Sequence, residues 1–272
     1  MKHPLEMQYG PLDGWIILLI MGGLSISFFS YQVIKATRLV MLGAPDNRFD
    51  SWGIRIKEML VGWLGQKKVL RDKIAGTMHV LMFWGFLMLG SDMLDLVSAN
   101  YFSEHILPSF LNNPWNGIVE LGYTTALLGA LAALIRRVLF TPEKLKGKSQ
   151  LEGNFILVLI LTITSTSFII ESPENPDSLW EPFGFWVSGL GLSENFIVAS
   201  YWAHMVSICC FLILIPLSKH MHLVMAIPNV FFHDTQASGK MRPLAIGDDG
   251  KAIPLEDLDI DSFGVSTFDQ YT

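Results

Sequence analysis

Cysteine is nearly absent from this chain of 272 residues. There are two, Cys209 and Cys210, and they are adjacent. Neighbouring residues on a helix point about 100° apart, so the pair is no clamp for a metal and reads as small apolar packing. With no CxxC and no run of four cysteines, the chain holds no iron–sulfur cluster by itself, and with no CxxCH it has no covalent c-type haem. Charge is also scarce, at 16% of residues against 51% hydrophobic, with a positive mean hydropathy. A soluble domain of this length would carry more charge. The net charge of −6 does not imply a basic partner, and no nucleic acid is expected to bind. There is no internal repeat and no low-complexity segment. The first apolar stretch lacks the basic lead-in and small-residue cleavage pattern of a signal peptide.

Long apolar runs fill the space that charge leaves. Five read as membrane spans: Trp15–Ile34, Ile74–Val97, Gly117–Leu139, Asn154–Ile170 and Phe196–Ile227. The expected fold is therefore an all-α integral-membrane bundle of five transmembrane helices occupying residues 1–227. Lysine and arginine are missing from two connections, Ser98–Asn116 and Glu171–Glu194. The other two connections hold Lys35 through Lys73 and Arg136 through Lys148, and Lys219, Lys240, Arg242 and Lys251 follow span 5. Under the positive-inside rule this places the N-terminus outside and the C-terminus in the cytoplasm. The localisation that follows is a multi-pass protein of the prokaryotic cytoplasmic (inner) membrane. Residues 51–72 read as an interfacial amphipathic helix: Ile56, Met59, Leu60 and Trp63 form its apolar side, and Arg55, Lys67, Lys68 and Arg71 face lipid headgroups. Trp52, Trp63, Trp115, Trp180, Trp186 and Trp202 suit aromatic belts.

Histidine placement is the most informative pattern. His204 and His222 are eighteen residues apart in one apolar stretch. On a continuous helix that is about five turns, which puts both rings on one stripe roughly 27 Å apart. His79 opens span 2 beside the basic run Lys67–Lys73, at the same face as His222. Antiparallel spans 2 and 5 can thus offer two neutral imidazoles to one haem iron. The alternative for each histidine is a packed, hydrogen-bonded side chain; polar groups at membrane depth are costly and functional by default. His220, sixteen residues from His204, is rotated about 160° off the stripe. It reads as an interfacial histidine, with a haem propionate as the other possibility. His204 lacks an obvious partner. Leu89, ten residues after His79, cannot ligate; Met93 and His105 are the candidates. His3 and His233 read as surface histidines. Asp92, Asp95 and Glu120 are either ordinary interfacial acids or proton acceptors for a quinol.

Past Pro228 the chain changes character. Gly239, Pro243, Gly247, Gly250 and Pro254 break any helix, and Leu255–Thr272 is acidic with spaced apolar residues. Residues 228–272 are expected to form a cytoplasmic tail that is either disordered or, through Phe263, Val265 and Phe268, docked on an iron–sulfur partner.

The order His79, His204, His222, with IPLSKHMH closing span 5, resembles the gamma-subunit cytochrome b of respiratory nitrate reductase. The resemblance covers most of Trp15–Ile227. Pro216, Ser218, Lys219 and His222 match the family's span 5 ending, with Lys in place of a family Arg, and His79 within HVLMFWGF matches its first span 2 ligand. The family's second span 2 ligand falls at Leu89. A closer resemblance is to the membrane domain of heterodisulfide-reductase-related iron–sulfur oxidoreductases, a group that includes electron-transfer-flavoprotein:menaquinone oxidoreductases. It is carried by LGQKKVLR (64–71), AGTMH (75–79), FWGF (83–86) and DSFGV (261–265). In that family the last motif leads into a cytoplasmic cluster domain. The clusters are then expected on a separate subunit or on a longer chain of which this is the membrane part.

Together these readings imply a haem b subunit that passes electrons between a cytoplasmic iron–sulfur partner, with electron-transfer flavoprotein as a possible donor, and membrane menaquinone. The expected axial ligands are His79 and His222 for one haem, and His204 for a second. The competing expectation is a cofactor-free five-span transporter or membrane anchor.

Overall fold

The computed structural model describes residues 2–42, 48–102, 112–140, 148–172, 177–233 and 235, with backbone alone at 92–102, 112 and 148–149. Residues Met1–Phe232 form one compact unit and His233–Thr272 a second. Expectations resting on Met93, His105, Asp92, Asp95 or the end of the tail lie outside the described side chains.

Five long helices dominate the first unit: α1 (Gly14–Val40), α3 (Lys73–Phe102), α4 (Asn112–Leu139), α5 (Lys148–Glu171) and α7 (Glu194–Leu217). The shortest has 24 residues, about 36 Å at 1.5 Å per residue, enough to cross a hydrocarbon layer of about 30 Å. All five are apolar enough to be membrane spans. Their outward faces carry exposed large apolar side chains, such as Leu19 and Leu24 on α1, Leu121 and Leu128 on α4, and Phe155 on α5. Water would penalise such a surface and lipid does not.

Neighbouring helices pack in the order α3, α4, α5, α7, α1. Glycine sets the α3–α4 contact. A Cβ at Gly85 would lie 2.5 Å from the Gly122 carbonyl oxygen and 2.6 Å from Ala126 Cβ, so the two backbones approach as small residues permit. Ile156 and Leu159 of α5 bury against Phe211 and Ile215 of α7. Thr164 at this seam is fully buried and donates its hydroxyl to the Ile160 carbonyl of its own helix, leaving no hydroxyl proton unsatisfied. Helices α3 and α7 are not close-packed neighbours, yet Phe86 and Phe211 reach across with ring centroids 5.6 Å apart.

Short elements sit at the bundle ends. At the N-terminus, β1 (Gln8–Tyr9) pairs antiparallel with β2 (Leu12–Asp13) around Gly10, whose φ of +65° suits glycine. Trp202 Nε1 donates to Tyr9 Oη at 2.7 Å, docking this hairpin on α7. Helix α6 (Pro182–Ser188) is held by buried Glu120 of α4, whose carboxylate accepts from the amides of Phe183 (2.8 Å) and Gly184 (3.0 Å). That carboxylate therefore satisfies two otherwise orphaned helix donors, which accounts for its burial without a proton-transfer role.

Two regions depart from the sequence expectation. Residues 51–72 are not one helix. They run as α2 (Trp52–Glu58), π-helical turns at Met59–Leu64 and a 3-10 turn at Val69–Arg71. Gln66, with φ +49°, breaks the path after Gly65. The apolar run to Ile227 is not one helix either. Pro216 has no amide to donate to the Leu212 carbonyl, so α7 ends at Leu217 and Ser218 turns extended (φ −127°, ψ 173°). Ser218 Oγ then accepts from the His220 amide at 3.1 Å and starts a 3-10 turn, Lys219–Met221, that leads into α8 (His222–Phe231).

Candidate functional site

His79 lies in the second turn of α3, whose start is capped by Asp72 Oδ1 accepting from the amides of Ile74 (3.1 Å) and Ala75 (3.0 Å). His222 is the first residue of α8. Their ring centroids are 6.4 Å apart, with planes inclined by 35°. His220 stands next to His222 at 5.9 Å, and its Nδ1 is 3.0 Å from Ser218 Oγ. Burial lowers the His220 pKa below its ordinary value, and His222 pushes the same way. Phe83 stacks on His79 at 6.5 Å and 13°, and Trp63 closes on Phe83 edge-on at 5.5 Å. A pair of imidazoles thus faces the gap between α3 and the α7–α8 break, walled on one side by aromatic rings.

Hydrogen bonds decide which nitrogens are available. His222 Nδ1 is 2.9 Å from the Lys219 carbonyl oxygen. A carbonyl only accepts, so Nδ1 carries the hydrogen and Nε2 keeps its lone pair. Orientation of one ring nitrogen by a backbone carbonyl is the usual second contact of a metal-binding histidine. His79 Nδ1 is buried with no hydrogen-bond partner among the described residues. A buried polar atom in that state is unfavourable unless something outside the chain satisfies it.

Spacing fits a shared metal. Two imidazoles bound at about 2.0 Å to one metal, each with its ring centre about 1.1 Å beyond the nitrogen, place the centroids about 6 Å apart. Among the described residues no group of three His, Cys, Asp or Glu side chains is placed to hold a metal. The pair could supply two nitrogen ligands, which fits a metal whose remaining ligands come from a bound cofactor.

His204, on α7, is placed differently. Its Nδ1 lies 3.1 Å from the Ile163 carbonyl oxygen and 2.9 Å from Thr166 Oγ1 of α5. The carbonyl again assigns the hydrogen to Nδ1 and leaves Nε2 free to accept or ligate. Because the helix breaks at Ser218, His204 and His222 do not share one continuous helical stripe. Leu89 packs on the apolar cluster of Val119, Tyr123 and Phe168. Cys209 and Cys210 are free and half-buried.

Continuous helical spacing rotates His220 away from the other histidines; the 3-10 turn returns it to His222. Trp63 and Phe83 form an aromatic wall for which the sequence carries no signal beyond an apolar face.

No family model matches the chain, and no solved structure gives a significant match. Two curated proteins do. One is a probable iron–sulfur-binding oxidoreductase, FadF, of Bacillus subtilis (strain 168), 26% identical over 251 residues that cover 87% of this chain and 35% of that protein. The other is an EtfAB:quinone oxidoreductase of Syntrophomonas wolfei subsp. wolfei (strain DSM 2245B / Goettingen), 27% identical over 273 residues that cover 87% of this chain and 37% of that protein. The chain is a helical relative of iron–sulfur- and quinone-linked oxidoreductases. It spans roughly a third of their length, and the matched part includes most of its five apolar helices.

Proposed function

We propose that this chain is a membrane electron-transfer unit that holds a b-type haem between His79 and His222. The single observation that carries the reading is the 6.4 Å spacing of the two rings, brought together from separate helices. The orphaned Nδ1 of His79 and the carbonyl-oriented ring of His222 support it. The haem would supply one-electron redox chemistry between a cytoplasmic iron–sulfur partner and membrane menaquinone. The chain's own part is to fix two imidazoles, to keep His222 in one tautomer through the Lys219 carbonyl, and to wall His79 on one side with Phe83 and Trp63. The names of the two relatives motivate the iron–sulfur partner, electron-transfer flavoprotein and quinone.

A second haem near His204 is the finer part of the proposal. Its support is that the Nδ1 contact to Ile163 leaves Nε2 free. Quinone would exchange electrons at that opposite end of the bundle. The excess of lysine and arginine in two connections supports a reading with the His79–His222 end at the cytoplasmic face of a prokaryotic inner membrane and the N-terminus outside.

A reduced-minus-oxidised visible spectrum of the purified protein tests the reading. A low-spin b-type haem signal is expected. A protein purified from haem-replete cells with no such signal is instead a transporter or anchor. Pyridine haemochrome quantification decides the second haem: one haem per chain, unchanged in His204→Ala, rejects it.

A further inference from the structure

We infer that Arg55 and Arg48 form a clamp on the C-terminal end of α8 and so position His222 against His79; this rests on the bis-imidazole reading above. Arg55 is only 3% exposed, rare for an arginine. Its guanidinium donates from Nη1 to the Phe231 carbonyl (2.8 Å), from Nε to the Asp50 carbonyl (2.8 Å) and from Nη2 to Asp50 Oδ1 (2.7 Å). Arg48 Nη1 donates to the Phe232 carbonyl at 2.7 Å. Both arginines thus meet the last carbonyls of α8, which have no partner within the helix and carry the negative end of its dipole. Trp52 against Phe231 (5.2 Å) and Phe49 against Phe232 (5.4 Å) add edge-on aromatic packing at the same place.

Helix α8 needs such an anchor. It has 10 residues, too short to persist alone. Its first turn is held by Leu223 and Val224 against the α5–α7 core. Its far end is held by the segment 48–64, through the arginines and through Val230 facing Gly62. Two anchors fix the roll of a short helix about its axis; one does not. His222 begins this helix after a break in the backbone, so its direction depends on α8 rather than on α7. The contacts of both arginines described above run to the α8 backbone, so they act on the ring through the helix.

Hydrogen–deuterium exchange on the full chain in lipid nanodiscs, with and without haem, tests this. In Arg55→Gln the amides of Lys219–Phe231 should exchange about tenfold faster or more, the factor expected on removing a charged hydrogen bond. Those of α4 and α5 should be unchanged. Arg55→Lys, which offers one donor in place of the fork, should recover part of the protection. Haem-loaded Arg55→Gln should also show an altered low-spin signal and a shifted midpoint potential. Unchanged exchange in 219–231 overturns the clamp. Loosened exchange with a low-spin signal and potential equal to wild type overturns the positioning role. If Arg55→Gln fails to fold, Arg48→Gln weakens the contact to the Phe232 carbonyl and should show the same pattern at smaller size; its absence there is equally decisive. A wild-type protein without a haem signal sinks the bis-imidazole reading instead, and the exchange result then decides the clamp alone.

Discussion

At the scale of single residues, hydrogen bonds to carbonyl oxygens set the chemistry. The Lys219 carbonyl fixes the His222 tautomer and the Ile163 carbonyl fixes that of His204, so each ring keeps an Nε2 lone pair. That His79 and His222 lie at one end of the molecule is legible from the Lys67–Lys73 run beside one and the KHMH ending around the other. Their tautomers are not, because they depend on backbone geometry after a helix break. Asp50 shows how little of a polar network a sequence reveals. It lies in the loop before α2, where its bond to Arg55 holds its carboxyl below the ordinary 3.8. A carboxylate with a lowered folded-state pKa stabilises fully above the unfolded value and loses that effect as pH falls through the folded one. Thermal unfolding of wild type and Asp50→Asn should therefore differ at about pH 7 and converge as the pH falls below the lowered folded-state pKa. A difference that persists at acid pH would assign the effect to something other than the Asp50 charge. The Asp50 side chain is 61% exposed, so the difference at neutral pH should be small.

At the scale of elements, apolar length identifies all five helices long enough to cross a membrane, since a run of about twenty apolar residues matches the hydrocarbon thickness and exceeds what most soluble helices bury. Where the helices stop is harder to read. Residues 205–217 carry no charged side chain, so periodicity gives no sign of where α7 ends, and Pro216 with the polar Ser218–His220 marks the break. The amphipathic stretch 51–72 likewise has helical spacing, but the turn at Gly65–Gln66 divides it. Packing of α3 on α4 gives a sharper test. A methyl at Gly85 would meet Ala126 Cβ and the Gly122 carbonyl at 2.6 and 2.5 Å, neither of them a flexible side-chain end. Gly85→Ala should destabilise the protein by about 1–3 kcal/mol through overpacking. Thermal unfolding in detergent measures it; stability equal to wild type would mean that α3 and α4 do not approach this closely. Because His79 lies on the same helix, haem content should fall with it.

At the scale of the whole molecule, four long helices form the frame α4, α5, α7, α1, and α3 packs on α4 at its edge. The gap between α3 and the α7–α8 break is bridged by side chains: Phe86 to Phe211 along its length, and His79 to His222 at the basic end. The two similar curated proteins are described as oxidoreductases. On the proposed reading His79 and His222 share one haem. Haem content per chain in His79→Ala and His222→Ala, compared with wild type by pyridine haemochrome on folded protein, decides this. Each substitution should remove the same one haem equivalent, and the double variant should lose no more than either alone. Full haem retention in both single variants, or losses that add in the double variant, would overturn the shared site.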